Sequence, residues 1–249
     1  MKKLMIGPFP PPIHGMSIAN NMLFNGMKNK HEVEVLNTNT EKRLGNLSKQ
    51  GRLTYSKAFR SLSQILSGTT KILLGKRYDI VYMTPSQTIG GYLKYVPFMW
   101  AAKIRQIPYV IHIHGGYFRK MYNSTSGWKQ KVIDKSLNGL AGAVVLGPSL
   151  LYIFEGLIPN EKIFVCENGV EDEIFATEEE INNKIERWKN DDTIRIVYLS
   201  NLMKAKGILN LLEAVKILTN EGKKVHLDVT SAIKLEIKLE GRMFFQSLE

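Results

Sequence analysis

The chain has 249 residues, 44% of them hydrophobic and 23% charged, so it can bury a sizeable core and disorder is excluded as its default. Its net charge of +11 is unevenly spread: residues 1–125 hold 18 Lys and Arg against 4 Asp and Glu, a net of +14, whereas residues 126–249 hold 16 against 19, a net of −3. An excess this lopsided attracts phosphates, nucleic acid or an anionic membrane surface, the plain alternative being a solvated basic face.

From Met1 to Pro11, Lys2 and Lys3 precede only the short apolar run Leu4-Met5-Ile6, too short for the apolar core of an export signal. The longest apolar stretch, Tyr92 to Ala102, is interrupted by Lys94 and Pro97 and falls short of the ~20 residues that span a bilayer. The lone Cys166 has no partner for an intrachain disulfide, and its neighbours Ile163, Phe164 and Val165 predict a buried thiol. The expected compartment is therefore a reducing cytoplasm.

In chain order, Lys3 to Ile6 reads as a first strand, followed by the Gly/Pro-rich loop Gly7 to Gly15 and a helix from Met16 to Lys28. Glu32 to Leu36 alternates like a strand, and Lys57 to Leu74 has helical apolar spacing. Strands follow at 79–82, 108–112, 142–145 and 162–165, with helices over Ile89 to Lys103 and Gly127 to Asn138 and a short one from Pro148 to Phe154. Strands without a polar face that alternate with helices predict a doubly wound α/β domain, a parallel sheet covered on both sides. It occupies residues 1–175. A charged helical connector, 176–192, then leads to a second unit at 193–249, with a strand at Ile194 to Leu199, a helix from Gly207 to Asn220 and a strand at Val225 to Val229. Ile233 to Glu240 alternates at period two but is rich in Lys and Glu, so strand and helix are both defensible.

In open parallel sheets ligands bind beyond the carboxyl ends of the strands, which directs attention to four loops. The first, Gly7-Pro-Phe-Pro-Pro-Pro-Ile-His14-Gly15, ends in a glycine directly before a helix, where backbone can approach a sugar or phosphate; a rigid proline turn is an equal reading. The second, His112-Ile-His114-Gly115-Gly116, sets two imidazoles on one side of a strand end, with small residues leaving room for a ligand. No third ligand has supporting spacing, so hydrogen bonding to a ligand is favoured over metal binding. The third, Glu167-Asn168-Gly169-Val170, is weak by itself, being also an ordinary turn. In the fourth, Ser200-Asn201 to Lys206-Gly207, Lys204 and Lys206 stand where helix amides favour an anion such as a diphosphate, although a solvated lysine pair is as common.

Taken in this order, the loops resemble the retaining glycosyltransferases of family 4, which have the two-domain GT-B fold, with surface and capsular polysaccharide enzymes nearest in character. The residues carrying the resemblance are the Gly-Pro-x-Pro-Pro-Pro-x-x-Gly opening, His114-Gly115, Asn168-Gly169-Val170 with Phe175 after it, and Lys206-Gly207. The resemblance implies a Rossmann-like first domain on the acceptor side, with His14, His112, Gly115 and Gly116 on that side. It implies that His114 contacts the transferred sugar or reaction centre. Donor contacts would come from Gly15, Asn168, Gly169, Asn201, Lys206 and Gly207, with Lys206 neutralising the departing diphosphate. No cofactor or metal is implied, and the only Asp-Asp pair, Asp191-Asp192, lacks Asp-x-Asp spacing.

The implied activity is transfer of a sugar from a nucleoside-diphosphate sugar to a glycan or polyprenyl-diphosphate-linked acceptor in polysaccharide biosynthesis, with retention. The basic first half and the amphipathic stretch Lys57 to Leu74 suit peripheral association with the inner face of an anionic membrane. Two departures stand out. Ser200-Asn201 replaces the family's frequent Gly-Arg, and no glutamates after Val229 have the family's Glu-x7-Glu spacing. From Ile194 onward about 56 residues remain, against roughly 100 to 150 for a complete doubly wound domain, so the second domain is expected to be incomplete. Its open edges favour self-association, and a binding-only or inactive fragment is the rival reading. A basic nucleic-acid-binding protein ranks third, because the cations are dispersed and no helix-turn-helix, zinc-finger or RNP pattern is present.

Overall fold

The computed structural model describes residues 1–39, 55–169, 175–200, 202 and 204–230. The chain divides into two compact units, residues 1–170 and 171–249. In the first, six parallel strands form one sheet: β1 (Lys2–Gly7), β2 (Glu32–Asn37), β3 (Ile80–Met83), β4 (Tyr109–Ile113), β5 (Gly142–Val145) and β6 (Ile163–Val165). Their order is β2-β1-β3-β4-β5-β6, so the direction of winding reverses between β1 and β3. Each apolar run expected to be a strand is one, to within a residue or two at its ends.

Alternation sends the two sets of side chains to different helical layers. Leu4 and Ile6 share a face with Val81, Met83, Ile111, Ile113, Ala143 and Val145, and all are buried. Over this face lie α2 (Tyr55–Leu74), α4 (Val96–Ile104) and α6 (Gly127–Leu137). The absent side chain of Gly68 lets α2 close on it, since a Cβ there would stand 2.5 Å from Leu36 and 2.7 Å from Phe98. On the opposite face, α1 (Gly15–Lys28) packs over β1 and β2. Helices on both faces of a parallel sheet make the domain doubly wound, as the sequence predicts.

The run from Ile89 to Lys103 is not one helix but two, α3 (Ile89–Leu93) and α4. Pro97 has no N–H to donate and is tolerated only in a first helical turn, so the chain restarts there, with Pro97 in the first turn of α4. A further helix, α5 (Phe118–Asn123), has no counterpart in the sequence reading. The segment after Gly147 is a 3-10 turn, Pro148–Ile153. Cys166 is exposed rather than buried. It follows β6, the edge strand, where Phe164 and Val165 are also exposed, so apolar neighbours in sequence did not bring burial.

The second unit contains α7 (Glu178–Trp188), β7 (Ile194–Leu199), α8 (Ile208–Asn220) and β8 (Val225–Thr230), with β7 and β8 pairing in parallel from Ile194↔Val225 to Leu199↔Thr230. Thr177 and Glu180 close a capping box on α7, and Lys184 and Arg195 each lie over the Trp188 ring, 4.6 Å from its centroid. Val197, Leu199, Leu209 and Ile217 are exposed. The ambiguous stretch Ile233 to Glu240 lies outside the described residues.

Candidate functional site

The carboxyl ends of the first-unit strands carry the loops singled out by the sequence. After β1, the proline-rich loop is fastened from both sides. Asn37 accepts from the Phe9 amide at 3.1 Å and donates to the Phe9 carbonyl at 3.1 Å. Beneath it the buried Asn20 of α1 donates to the Pro8 carbonyl and to Thr84 Oγ1, both at 2.9 Å. Gly7 makes that node possible, because a Cβ there would fall 2.1 Å from Thr84 Oγ1 and 2.6 Å from Asn20 Nδ2.

His14 caps α1: its Nδ1 accepts from the Ser17 amide at 3.4 Å, and Ser17 Oγ accepts from the His14 amide at 2.9 Å. The imidazole is thus engaged in ending a loop, a role the sequence does not announce. Gly15, by contrast, is exposed, and a Cβ there would meet no atom within 4 Å. No contact among the described residues requires a glycine at that point, and its surface stands open beside the first amides of α1.

The loop after β4 is the most built part of the site. Alternation puts His112 and His114 on one face, and their rings stack with centroids 4.1 Å apart at 31°. His112 is 5% exposed, and its Nδ1 lies 2.6 Å from the Tyr82 hydroxyl of β3. Burial raises the Tyr82 pKa, so the phenol stays protonated and is the natural donor, which leaves the His112 proton on Nε2. Burial, then the neighbouring His114, pushes His112 down to about 3, and burial pushes His114 down to about 4. Both rings are neutral at physiological pH. The Nε2 atoms of both are sealed from solvent and have no partner among the described residues. Buried polar atoms without partners are uncommon, so this stacked pair of neutral imidazoles carries an unmet hydrogen-bonding cost at a strand's carboxyl end.

Gln87, which no motif in the sequence marks, holds this loop in shape. Its Nε2 donates to the His114 carbonyl at 2.9 Å, and its Oε1 accepts from the amides of Tyr117 at 2.6 Å and Phe118 at 2.8 Å. Gly115 adopts φ +134°, and a Cβ there would press to 2.7 Å from Gln87 Nε2, so a glycine is required on both counts. Gly116 opens onto a shallow groove of about 640 Å³ lined by Tyr117, Arg119, Lys120, Asn123 and Tyr152. The Arg119 guanidinium is occupied with the carbonyls of Tyr152 and Glu155, while the Lys120 ammonium lies 5.6 Å from the Tyr117 ring centroid.

Asn168 and Gly169 follow β6 in exposed, irregular backbone, whereas Val170 and Asn201 lie outside the described residues. In the second unit Lys206 is exposed at the end of the 3-10 turn Lys204–Lys206. Gly207 is the N-cap of α8 at φ 80°, a left-handed conformation suited to glycine, and among the described residues no side chain is seen to cap the helix. Asp191 and Asp192 are engaged with Arg195 and Lys224. Among the described residues, no three His, Cys, Asp or Glu side chains gather into a metal-binding group. No described helix is long and apolar enough to cross a membrane.

The parallel sheet, its carboxyl-edge loops and the second βαβ unit define the Rossmann-like architecture of the GT-B fold. Solved structures similar to this chain include Anabaena Alr3699/HepE in complex with UDP, with TM-score 0.56, 14% identity, and coverage of 93% of this chain and 70% of that one. Sucrose-phosphate synthase from Thermosynechococcus elongatus gives TM-score 0.59 and 12% identity over 92% of this chain and 62% of its own. The catalytic domain of starch synthase IV from Arabidopsis thaliana, bound to ADP and acarbose, gives 0.58 and 10% over 93% and 69%. The chain therefore spans 62 to 70% of the length of these three structures, and at such identities the likeness establishes the fold. No protein-family model matches the sequence, and no curated protein does.

Proposed function

We propose that the chain serves a glycosyltransferase that moves a sugar from a nucleoside-diphosphate sugar to a glycan or polyprenyl-diphosphate-linked acceptor in polysaccharide biosynthesis, with retention at the anomeric carbon. The observation that carries this reading is the loop after β4, where His114 is held neutral and stacked on His112 beside Gly115 and Gly116. A neutral imidazole suits hydrogen bonding to a sugar hydroxyl, and two glycines leave room for the ring. The similar folds solved in complex with UDP and with ADP support a nucleoside diphosphate as the donor's handle.

In this reading Gly15, Asn168, Gly169, Asn201 and Gly207 contact the donor. His14, His112, Gly115 and Gly116 belong to the acceptor side. Lys206 meets the diphosphate as negative charge grows on the leaving group, with the uncapped amides of α8 adding to that stabilisation and no metal needed. The enzyme works in the cytoplasm at the inner face of an anionic membrane. Transfer from a panel of radiolabelled nucleotide sugars to a membrane extract tests the proposal. Label should enter acceptor from one donor and not when His114 is replaced by Ala; absence of transfer from every donor, together with absence of donor binding, would contradict it.

A further inference from the structure

The groove onto which Gly116 opens has two walls, one from the segment after β4 and one from the 3-10 turn Pro148–Ile153 after β5. Burial sorts the side chains of both. On α5, Phe118 and Met121 are buried and anchor the helix, with Phe118 packed on Phe154 at 5.1 Å between ring centroids. Tyr117, Lys120 and Asn123 are left outside, all exposed. The other wall contributes Tyr152, 47% exposed against 54% for Tyr117. The walls are braced against each other: Arg119 donates to the carbonyls of Tyr152 and Glu155, and the Tyr152 hydroxyl donates to the Gly116 carbonyl at 3.4 Å. Gln87 fixes the Tyr117 amide in addition. The groove is therefore preformed, and a ligand meets it at small ordering cost.

The side chains that line it match the two-sided chemistry of a sugar ring. A pyranose has an apolar C–H face that lies against an aromatic ring, while its hydroxyls seek donors and acceptors at the rim. Tyr117 and Tyr152 supply exposed rings with polar tips, and the Asn123 side chain has no hydrogen-bond partner among the described residues. Charge narrows the class of sugar. No lining residue is acidic, and the Lys120 ammonium, 5.6 Å from the Tyr117 ring centroid, has no ion pair among the described residues. Such a groove favours an anionic sugar over a neutral one. A bare diphosphate would meet the cation but gain nothing from the two rings. We propose that the groove is a glycan subsite that holds an acidic sugar of the acceptor, with Tyr117 and Tyr152 against its ring and Lys120 against its carboxylate. The inference rests on the reading of the β4 loop as the acceptor side, and it narrows that acceptor to a glycan carrying a uronic acid near the hydroxyl that receives the transferred sugar.

The experiment is titration of the full chain, carrying ring-labelled tyrosine for NMR, with three kinds of probe. These are neutral tetrasaccharides of glucose, galactose and mannose, their counterparts oxidised to uronic acids, and farnesyl diphosphate. An acidic tetrasaccharide should bind and shift the Tyr117 and Tyr152 resonances. Tyr117→Ala and Tyr152→Ala should each weaken it roughly 10-fold, whereas Tyr152→Phe, which keeps the ring, should weaken it far less. Lys120→Met should weaken the acidic probe by roughly 5-fold and leave its neutral counterpart unchanged. Thermal melts establish that each variant is folded. Binding of no tetrasaccharide, or binding that both tyrosine-to-alanine variants leave intact, would overturn the proposal. So would equal affinity for neutral and acidic probes. Farnesyl diphosphate bound through Lys120 in place of any tetrasaccharide would assign the groove to a diphosphate and overturn it as well. Titration with nucleotide sugars keeps the two readings apart: a chain that binds a donor but no tetrasaccharide contradicts this inference alone, and one that binds an acidic tetrasaccharide but no donor upholds the groove and contradicts the transferase.

Discussion

Replacing Gln87 by Ala removes three hydrogen bonds at once: one to the His114 carbonyl and two from the Tyr117 and Phe118 amides. Each is worth about 0.5–1.5 kcal/mol net, and because the side chain is half-buried the lower part of that range applies, giving roughly 1.5–3 kcal/mol in total. In a protein of this size the loss corresponds to a fall in Tm of about 3–10 °C. The effect should concentrate in the loop that presents His114, with amide exchange at Tyr117 and Phe118 faster by roughly 10-fold or more. Gln87→Glu distinguishes the two ends of the side chain. Its carboxylate still accepts from both amides at the start of α5, but one oxygen then faces the His114 carbonyl, so its Tm should lie between those of Ala and the parent. Differential scanning calorimetry and hydrogen exchange measure all three proteins. A Gln87→Ala Tm within about 1 °C of the parent, with unchanged amide exchange, would refute the assignment of Gln87 as the residue that sets this loop.

Gly7→Ala drives a methyl group into Thr84 and Asn20 and should cost about 2–4 kcal/mol by breaking a buried hydrogen-bonded node, read by chemical denaturation; an undiminished midpoint would show that the node yields freely. The histidine pair also sets a pH dependence. The folded chain holds His112 at about 3 and His114 at about 4, below their usual 6.5. As pH falls below about 6.5 the unfolded chain therefore takes up protons that the folded one refuses, so stability is full above that pH and declines toward pH 4, by up to about 1.4 kcal/mol per pH unit for each ring. Glu34, held at about 2 by Lys2, Lys71 and Tyr78, adds a second loss that begins only below its usual 4.5. Proton NMR should show neither ring titrating between pH 8 and 5, and a midpoint near 6.5 for either would contradict the buried, stacked arrangement.

The sheet was legible because a parallel strand buried on both faces leaves an uninterrupted apolar run, as in Pro108 to His112, and turn residues bracket each one. Helix α5 was not legible: six residues containing Phe118 and Met121 are too few to show a period. Apolar neighbours misjudged Cys166, since burial at an edge strand depends on what covers it. At the candidate site, the glycines and histidines stood out by type and position. Their supports did not, because Tyr82 meets His112 across 30 residues of sequence and Gln87 meets the loop across 27 to 31. A glutamine or tyrosine carries no local mark of such a partnership until the sheet order brings neighbouring strand ends together.

The central claim is that this chain recognises a nucleoside-diphosphate sugar, and isothermal titration with a panel of UDP-, ADP- and GDP-sugars tests it most directly. One donor should bind in preference to the others, without added divalent metal. Lys206→Met should weaken that donor and the corresponding free nucleoside diphosphate alike, by roughly 10- to 100-fold for loss of a charge-assisted contact. His114→Ala should weaken the sugar nucleotide more than the free diphosphate, because the imidazole is assigned to the sugar. Binding of no member of the panel, or equal affinity of the parent and both variants for the one that binds, would contradict the account.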